Sequence, residues 1–355
     1  MKVAGNIVTA WALLLLCACA TVGPPEPPSL ELPKPPVDLR AVRKGNVVTL
    51  SWTVPSKTTD RQTVRSTGAT WICRSTDAAL TQCGKPVGEA GEIRANAAPG
   101  SKKIATSYID SLPVAMQSDS PDTFATYAVE PLNAYGRGAG LSNQARIPLV
   151  RTPVPPESLS AQVTSRGVVL SWANDLPQAG AGVQFAYRLL RRVDGTQPWI
   201  LAGEISAGSA RSFTDNGIEW EKTYEYRGEA VTSFQANGRD WKVEGEDSPT
   251  VKVFAHDVFP PQTPTGLQAV FSGPGQQAFV DLIWAPVPDV DLDGYNVYRH
   301  EEGAAPVKVN AALVKSPAYR DAAVASGRKY SYSVSAVDVR GNESAKSEEA
   351  EESVP

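Results

Sequence analysis

The chain has 355 residues, 34 basic and 38 acidic, for a net charge of −4, so it lacks the cationic excess that binds nucleic acid by neutralising phosphates. Hydrophobic residues make up 42% and charged residues 20%, which fits a folded chain rather than a disordered one. Two His and four Cys leave little material for metal or nucleophile chemistry, while 28 Gly and 29 Pro suit a turn-rich β protein of about two to four domains.

The amino terminus reads as an address. Met1-Lys2 is a short positive start; a mostly apolar run follows from Val3, ends in Leu13-Leu14-Leu15-Leu16 and gives way to Cys17-Ala18-Cys19-Ala20. A short apolar run followed by small residues is an export signal. It approaches the ~20 apolar residues of a membrane span only if Gly5, Asn6 and the Cys-Ala stretch are counted. Leu16-Cys17-Ala18-Cys19 resembles the lipobox of bacterial lipoproteins, with Leu at −3 and a small residue at −1. That resemblance implies a signal peptide over residues 1–18 and Cys19 as the acylated, palmitate-bearing first residue of the mature chain. Ala20, where an Asp would signal inner-membrane retention, implies the outer membrane of the cell envelope. Each buried CH₂ of such acyl chains contributes about 0.8 kcal/mol, so several chains anchor firmly. Ordinary cleavage at the Ala18-Cys19-Ala20 site is the alternative and would give a plain secreted protein.

Residues 23–36 read GPPEPPSLELPKPP, seven Pro in fourteen positions. Proline fixes φ and lacks the N–H, so this stretch can join neither helix nor sheet. With Cys19 it is read as a tether over residues 19–36 that adopts polyproline II and spans about 50 Å. A floppy linker, or a Pro-rich ligand for an aromatic groove, is the other reading.

Beyond the tether the sequence repeats. A Leu leads to a Trp over 13 residues twice, Leu39 to Trp52 and Leu159 to Trp172, and over 17 from Leu267 to Trp284, where Ser272-Gly273-Pro274-Gly275 is inserted. A strand ending in Arg comes next: Thr70-Trp71-Ile72-Cys73-Arg74, Tyr187-Arg188-Leu189-Leu190-Arg191 and Tyr295-Asn296-Val297-Tyr298-Arg299. An aromatic two residues before an Asp follows, at Tyr108/Asp110, Phe213/Asp215 and Tyr319/Asp321. Last come the alternating aromatic strands at Tyr127, at Tyr224 and Tyr226, and at Tyr330 and Tyr332. Period-2 alternation bounded by Gly, Pro, Asn and Asp marks half-buried strands.

About seven short strands per ~100 residues, with an early Trp and a late Tyr strand, describe an immunoglobulin-like sandwich. The closest resemblance is to fibronectin type III repeats, clearest in the third unit and most divergent in the first. The resulting organisation is all-β: three tandem fibronectin type III-like β-sandwiches over residues 37–149, 153–255 and 260–347, with core residues Trp52, Trp172 and Trp284 and an acidic, frayed tail at 348–355. Short linkers near 150–156 and 256–264 predict an extended rod. Cys73 and Cys83, ten residues apart, are expected to form a disulfide between neighbouring strands of an exported protein.

Candidate chemistry is sparse. Asp289-Val290-Asp291-Leu292-Asp293-Gly294 matches the first half of a calcium loop, but His300 stands where a bidentate Glu is needed and a strand, not a helix, follows. Its other reading is a solvated acidic loop. Gly136-Arg137-Gly138-Ala139-Gly140 lacks the Lys-Ser/Thr of a phosphate loop, and two His support no Ser/His/Asp set. No cofactor is implied. Residues 34–150 carry a net +5 and residues 257–355 a net −6, which would orient the chain above an anionic surface. Trp199, Trp220 and Trp241 could stack on sugars or simply cover a sheet. The sequence thus points to a non-enzymatic, membrane-anchored envelope lipoprotein that binds protein partners or scaffolds them, with a carbohydrate-binding accessory module beside a separate enzyme as the alternative.

Overall fold

A computed structural model of the chain describes residues 29–64, 68–91, 104–195, 197–272 and 277–355. The signal peptide, Cys19 and the tether up to residue 28 lie outside the described residues. The first sandwich lies in one compact unit; the second and third share another. Among the described residues no helix is long and apolar enough to cross a membrane.

The first sandwich is built from β1 (Arg40–Lys44), β2 (Val47–Thr53), β3 (Thr70–Ser75), β4 (Gly88–Ala90), β5 (Ala105–Ser111), β6 (Phe124–Pro131) and β7 (Ala145–Pro148), with a 3₁₀ turn at Val114–Met116. One sheet runs β1-β2-β5 and the other β4-β3-β6-β7. The second sandwich has β8 (Ser160–Thr164), β9 (Gly167–Ser171), β10 (Val183–Val193), β11 (Ile200–Ser206), β12 (Ser212–Asp215), β13 (Thr223–Ala236), β14 (Arg239–Asp247) and β15 (Val251–Phe254). The third has β16 (Gln268–Phe271), β17 (Val280–Ile283), β18 (Leu292–His300), β19 (Val307–Lys308), β20 (Ala318–Asp321), β21 (Arg328–Asp338) and β22 (Ala350–Val354). Its sheets, β16-β17-β20 and β19-β18-β21-β22, repeat the order of the first, as does β8-β9-β12 against β11-β10-β13 in the second.

Each core follows from the period-2 pattern. Val48, Leu50 and Trp52 point inward from β2; Val168, Leu170 and Trp172 do so on and just after β9, and Val280, Leu282 and Trp284 on and after β17. The repeated aromatics fall in one register: Tyr108, Phe213 and Tyr319 lie opposite Leu50, Leu170 and Leu282. Trp172 meets Tyr187 edge-on at 5.8 Å, and Trp284 meets Tyr295 at 5.1 Å. The first sandwich has Thr70 at the corresponding place, four residues before its Arg, and so lacks this pair.

The other landmarks converge on one inter-sheet pin. Arg74, Arg191 and Arg299 sit directly opposite Tyr127, Tyr226 and Tyr332 on the paired strands of one sheet. Asp110, Asp215 and Asp321 reach them from the facing sheet. Arg74 Nη1 and Tyr127 Oη both donate to Asp110 Oδ2 at 2.6 Å. Arg191 Nη1 donates to both Asp215 oxygens at 2.7 Å, and Tyr226 Oη to Oδ2 at 2.8 Å. Arg299 Nη1 and Tyr332 Oη donate to Asp321 Oδ2 at 2.7 and 3.0 Å. Burial, and after it the neighbouring carboxylate, holds the three phenols well above the ordinary tyrosine value, so they remain donors. This pin spans the two sheets, as the inter-sheet disulfide does in antibody domains.

The second and third sandwiches add a tyrosine corner: the Glu219 N–H donates to Tyr224 Oη at 2.7 Å and the Ala325 N–H to Tyr330 Oη at 3.0 Å, each five residues upstream. Ala125 holds that place in the first. All three also share a serine that takes an amide of the long Tyr-bearing strand, β6, β13 or β21, in place of a ladder carbonyl. The Val129, Gly228 and Val334 N–H groups donate to Ser142, Ser248 and Ser347 Oγ at 3.0, 2.9 and 3.0 Å.

Two expectations from composition are overturned. Residues 348–355 are not a frayed tail: β22 pairs along β21, from Arg328 opposite Val354 to Tyr332 opposite Ala350, and Val354 is buried in the third core. An unpaired β21 edge would leave backbone donors and acceptors without partners. The acidic residues tolerate strand pairing because Glu351 and Ser353 face out and Lys329 Nζ meets Glu351 at 2.7 Å. Nor does the tether run free to residue 36. Pro33 and Pro36 are buried, Pro33 bridges to Thr58, the Lys34 N–H donates to Lys57 O, and Asn133 Nδ2 donates to Leu30 O. Proline keeps its carbonyl and its apolar ring, so a Pro-rich strip can dock on a sandwich edge with its non-proline residue Lys34 supplying the N–H donor.

Candidate functional site

The structure joins Cys73 to Cys83 with Cα atoms 5.3 Å apart. Cys73 is a buried member of β3, while Cys83 lies in the loop before β4, so the bond closes a turn rather than tying two strands as the sequence suggested. Closing so short a loop contributes about 2–3 kcal/mol in the chain-entropy account.

The acidic run before β18 does not gather on one ion. Asp289 Oδ2 accepts from the Gln262 N–H at 2.7 Å, and Asp293 pairs with Lys315 Nζ at 2.5 Å. Gly294 is needed for close approach rather than a sharp turn: a Cβ there would stand 2.8 Å from Val314 O, whose strand-like bridge to Tyr295 runs alongside. His300, in the twelfth position, instead meets Glu349 Oε1 through Nε2 at 2.9 Å. That contact, with the Glu301 carbonyl, raises its pKa.

Asp291 of the run joins two other carboxylates. One oxygen each from Asp257, Asp291 and Asp338 lie within 4.8 Å of one another. Asp257 belongs to the segment linking the second and third sandwiches, Asp291 precedes β18 and Asp338 ends β21. The surroundings tie the two sandwiches together. The Asp257 N–H and His256 Nδ1 meet Glu221 Oε1 at 3.1 and 3.0 Å, Arg340 Nε donates to the same oxygen at 3.3 Å, and Asn342 Nδ2 donates to Asp257 O at 3.2 Å. Trp220 and Phe259 rings pack 6.0 Å apart beside them. Burial, with Asp291 and Asp338 adding to it, raises the Asp257 carboxyl.

Trp199, Trp220 and Trp241, the candidate sugar-stacking residues of the second sandwich, have different fates. Two guanidinium groups, of Arg192 and Arg227, lie over the Trp199 ring at 4.5 Å each, so the expected sugar-stacking face is taken. Trp220 packs on Phe259. Trp241, on β14, carries the Arg239 guanidinium over its ring at 5.2 Å and borders an open hollow of about 630 Å³ shared with Gln184, Ser233, Gln235, Asp240 and Lys242. Its Nε1 donates to Ala236 O at 3.3 Å, which fixes the indole. The hairpin that carries it turns on Asn237 and Gly238, both at positive φ, as an Asn-Gly two-residue turn requires. That dipeptide is the sequence signal for a hairpin the repeat pattern alone does not give. An indole beside amides, a carboxylate and an ammonium is a surface that can hold a polar, ring-shaped ligand.

Three strands facing a sheet that carries the short fourth strand, repeated three times, define this as a tandem fibronectin type III-like protein. No family model matches the chain. It is 28% identical over 244 residues to exoglucanase B of Cellulomonas fimi, across 63% of this chain and 20% of that protein. It is 26% identical over 349 residues to an amylopullulanase of Thermoanaerobacter thermohydrosulfuricus, across 89% of this chain and 22% of that one. The chain therefore spans about a fifth of the length of these relatives. Among solved structures it is 37% identical to an Fn3-like protein from Clostridium thermocellum, over 27% of this chain and 96% of that one, with a TM-score of 0.24.

Proposed function

We propose that the chain is a non-catalytic protein of the bacterial cell envelope, held at the outer membrane through acylated Cys19, whose tandem sandwiches bind or scaffold envelope partners by contact. The observation that carries this reading is the threefold repetition of one closed sandwich whose inward aromatics and buried Asp110, Asp215 and Asp321 are committed to its own core and pin. What each module offers outward is loops and strand faces. The lipid anchor rests on Leu16-Cys17-Ala18-Cys19 and adds no enzymatic group.

A second reading, carbohydrate contact at the Trp241 hollow, is favoured by that hollow and by relatives named as an exoglucanase and an amylopullulanase. An accessory module beside a separate catalytic domain suits a chain spanning about a fifth of their length. Glycan-array binding by the purified mature chain, in parallel with cross-linking on intact cells, separates the two. On the carbohydrate reading a polysaccharide binds and Trp241→Ala weakens it at least about tenfold, the loss of one stacking contact of ~1.4 kcal/mol. On the scaffolding reading glycans stay silent and a defined envelope protein cross-links. Hydrolysis of a polysaccharide by the pure chain would overturn both.

A further inference from the structure

We propose that Asp257, Asp291 and Asp338 form a calcium site that fastens the linker between the second and third sandwiches to the third. The three carboxylates come from three separate chain segments yet bring one oxygen each to within 4.8 Å of one another. Clustered like charges are costly to bury without a counter-charge. Asp257 and Asp338 are only 4% and 2% exposed, and Asp291 is half-buried.

The second observation concerns Asp257 itself. Its Oδ1 accepts from the Phe259 N–H at 3.2 Å, but its Oδ2 is buried and has no hydrogen-bond partner among the described residues. Arg340 Nη1 stands 3.9 Å from it, too far to donate, while Arg340 Nε is engaged by Glu221. A carboxylate oxygen left bare in such a place asks for a ligand. Asp338, by contrast, is held firmly in place. Its Oδ1 accepts from the Arg340 and Asn342 N–H groups at 2.8 and 2.9 Å, and its Oδ2 from Asn342 Nδ2 at 2.8 Å, which orients the carboxylate and leaves lone pairs unused.

The donor set selects the ion. All three ligands are carboxylate oxygens, with no thiolate or imidazole among them, which suits a hard dication. A site drawn from a linker and two loops favours calcium, which accepts irregular oxygen shells, over magnesium, which demands a near-ideal octahedron. Arg340 alone cannot balance three carboxylates; a dication brings the group close to neutrality. Because Asp257 lies in the linker while Asp291 and Asp338 belong to the third sandwich, the ion would set the angle at this junction.

Calorimetric titration of CaCl₂ into the mature chain, stripped with a chelator, tests the site, with MgCl₂ as control. One calcium per chain is expected to bind, more tightly than magnesium, and to slow proteolysis of the segment around Asp257. Asp291→Asn, a half-exposed change, is expected to weaken binding at least about tenfold. Asp257→Asn does the same by a separate route, so misfolding of one variant leaves the other as a test. Absence of calcium binding at millimolar concentration by the folded wild-type chain, or undiminished binding by both variants, overturns the site. Neither result bears on lipid anchoring or on partner binding.

Discussion

Trp284→Ala is expected to destabilise the third sandwich by about 3–5 kcal/mol, the range for emptying a large aromatic from a packed core. Trp284 is 5% exposed, sits edge-on to Tyr295, and closes a cluster with Val280, Leu282, Val297 and Tyr332. Its Nε1 is buried without a hydrogen-bond partner among the described residues. Trp284→Phe should therefore cost far less, about 1–1.5 kcal/mol, because the ring volume is largely kept and an unsatisfied donor is removed. Urea unfolding of the mature chain, followed by a probe on the third sandwich, reads both. Equal losses for Ala and Phe would mean that the indole edge, not core volume, matters at this position.

Asp321→Ala is expected to cost a similar 3–5 kcal/mol by a different cause. The substitution leaves the Arg299 guanidinium and the fully buried Tyr332 hydroxyl without their shared acceptor, and breaking one partner of a buried pair exposes the desolvation cost of the other. Adding Arg299→Met should recover part of the loss, since an apolar side chain of similar volume needs no counter-charge. The same pattern is expected for Asp215 with Arg191 in the second sandwich. A loss below about 1 kcal/mol for Asp321→Ala, or no recovery in the double variant, would show that the pin does not hold the sheets together.

The repeats themselves were legible because each landmark is local: a Leu and Trp at fixed spacing, an Arg-ended strand, an aromatic before an Asp, a Tyr strand. Their joining into a pin was not, because Arg74 and Asp110, or Arg299 and Asp321, meet only once two sheets face each other. Composition misled at both ends of the modular region. Glutamates at 348–352 read as solvated, yet the bare edge of β21 recruits them; prolines at 33 and 36 read as spacer, yet their rings cover the first sandwich. The shared Ser142, Ser248 and Ser347 carried a signal in their recurrence ahead of the last strand of each module. The Asp257, Asp291 and Asp338 cluster had no local signal. Only Asp291 belonged to a recognisable motif, and its motif partners Asp289 and Asp293 turn to Gln262 and Lys315 instead.

The anchoring claim meets its most direct test in metabolic labelling with a clickable palmitate analogue, followed by membrane fractionation of cells making the full chain or its Cys19→Ala variant. Acyl anchoring at Cys19 predicts label on the wild-type chain, its recovery with outer membranes, and loss of both in the variant. An unlabelled wild-type chain recovered in the soluble fraction would contradict it.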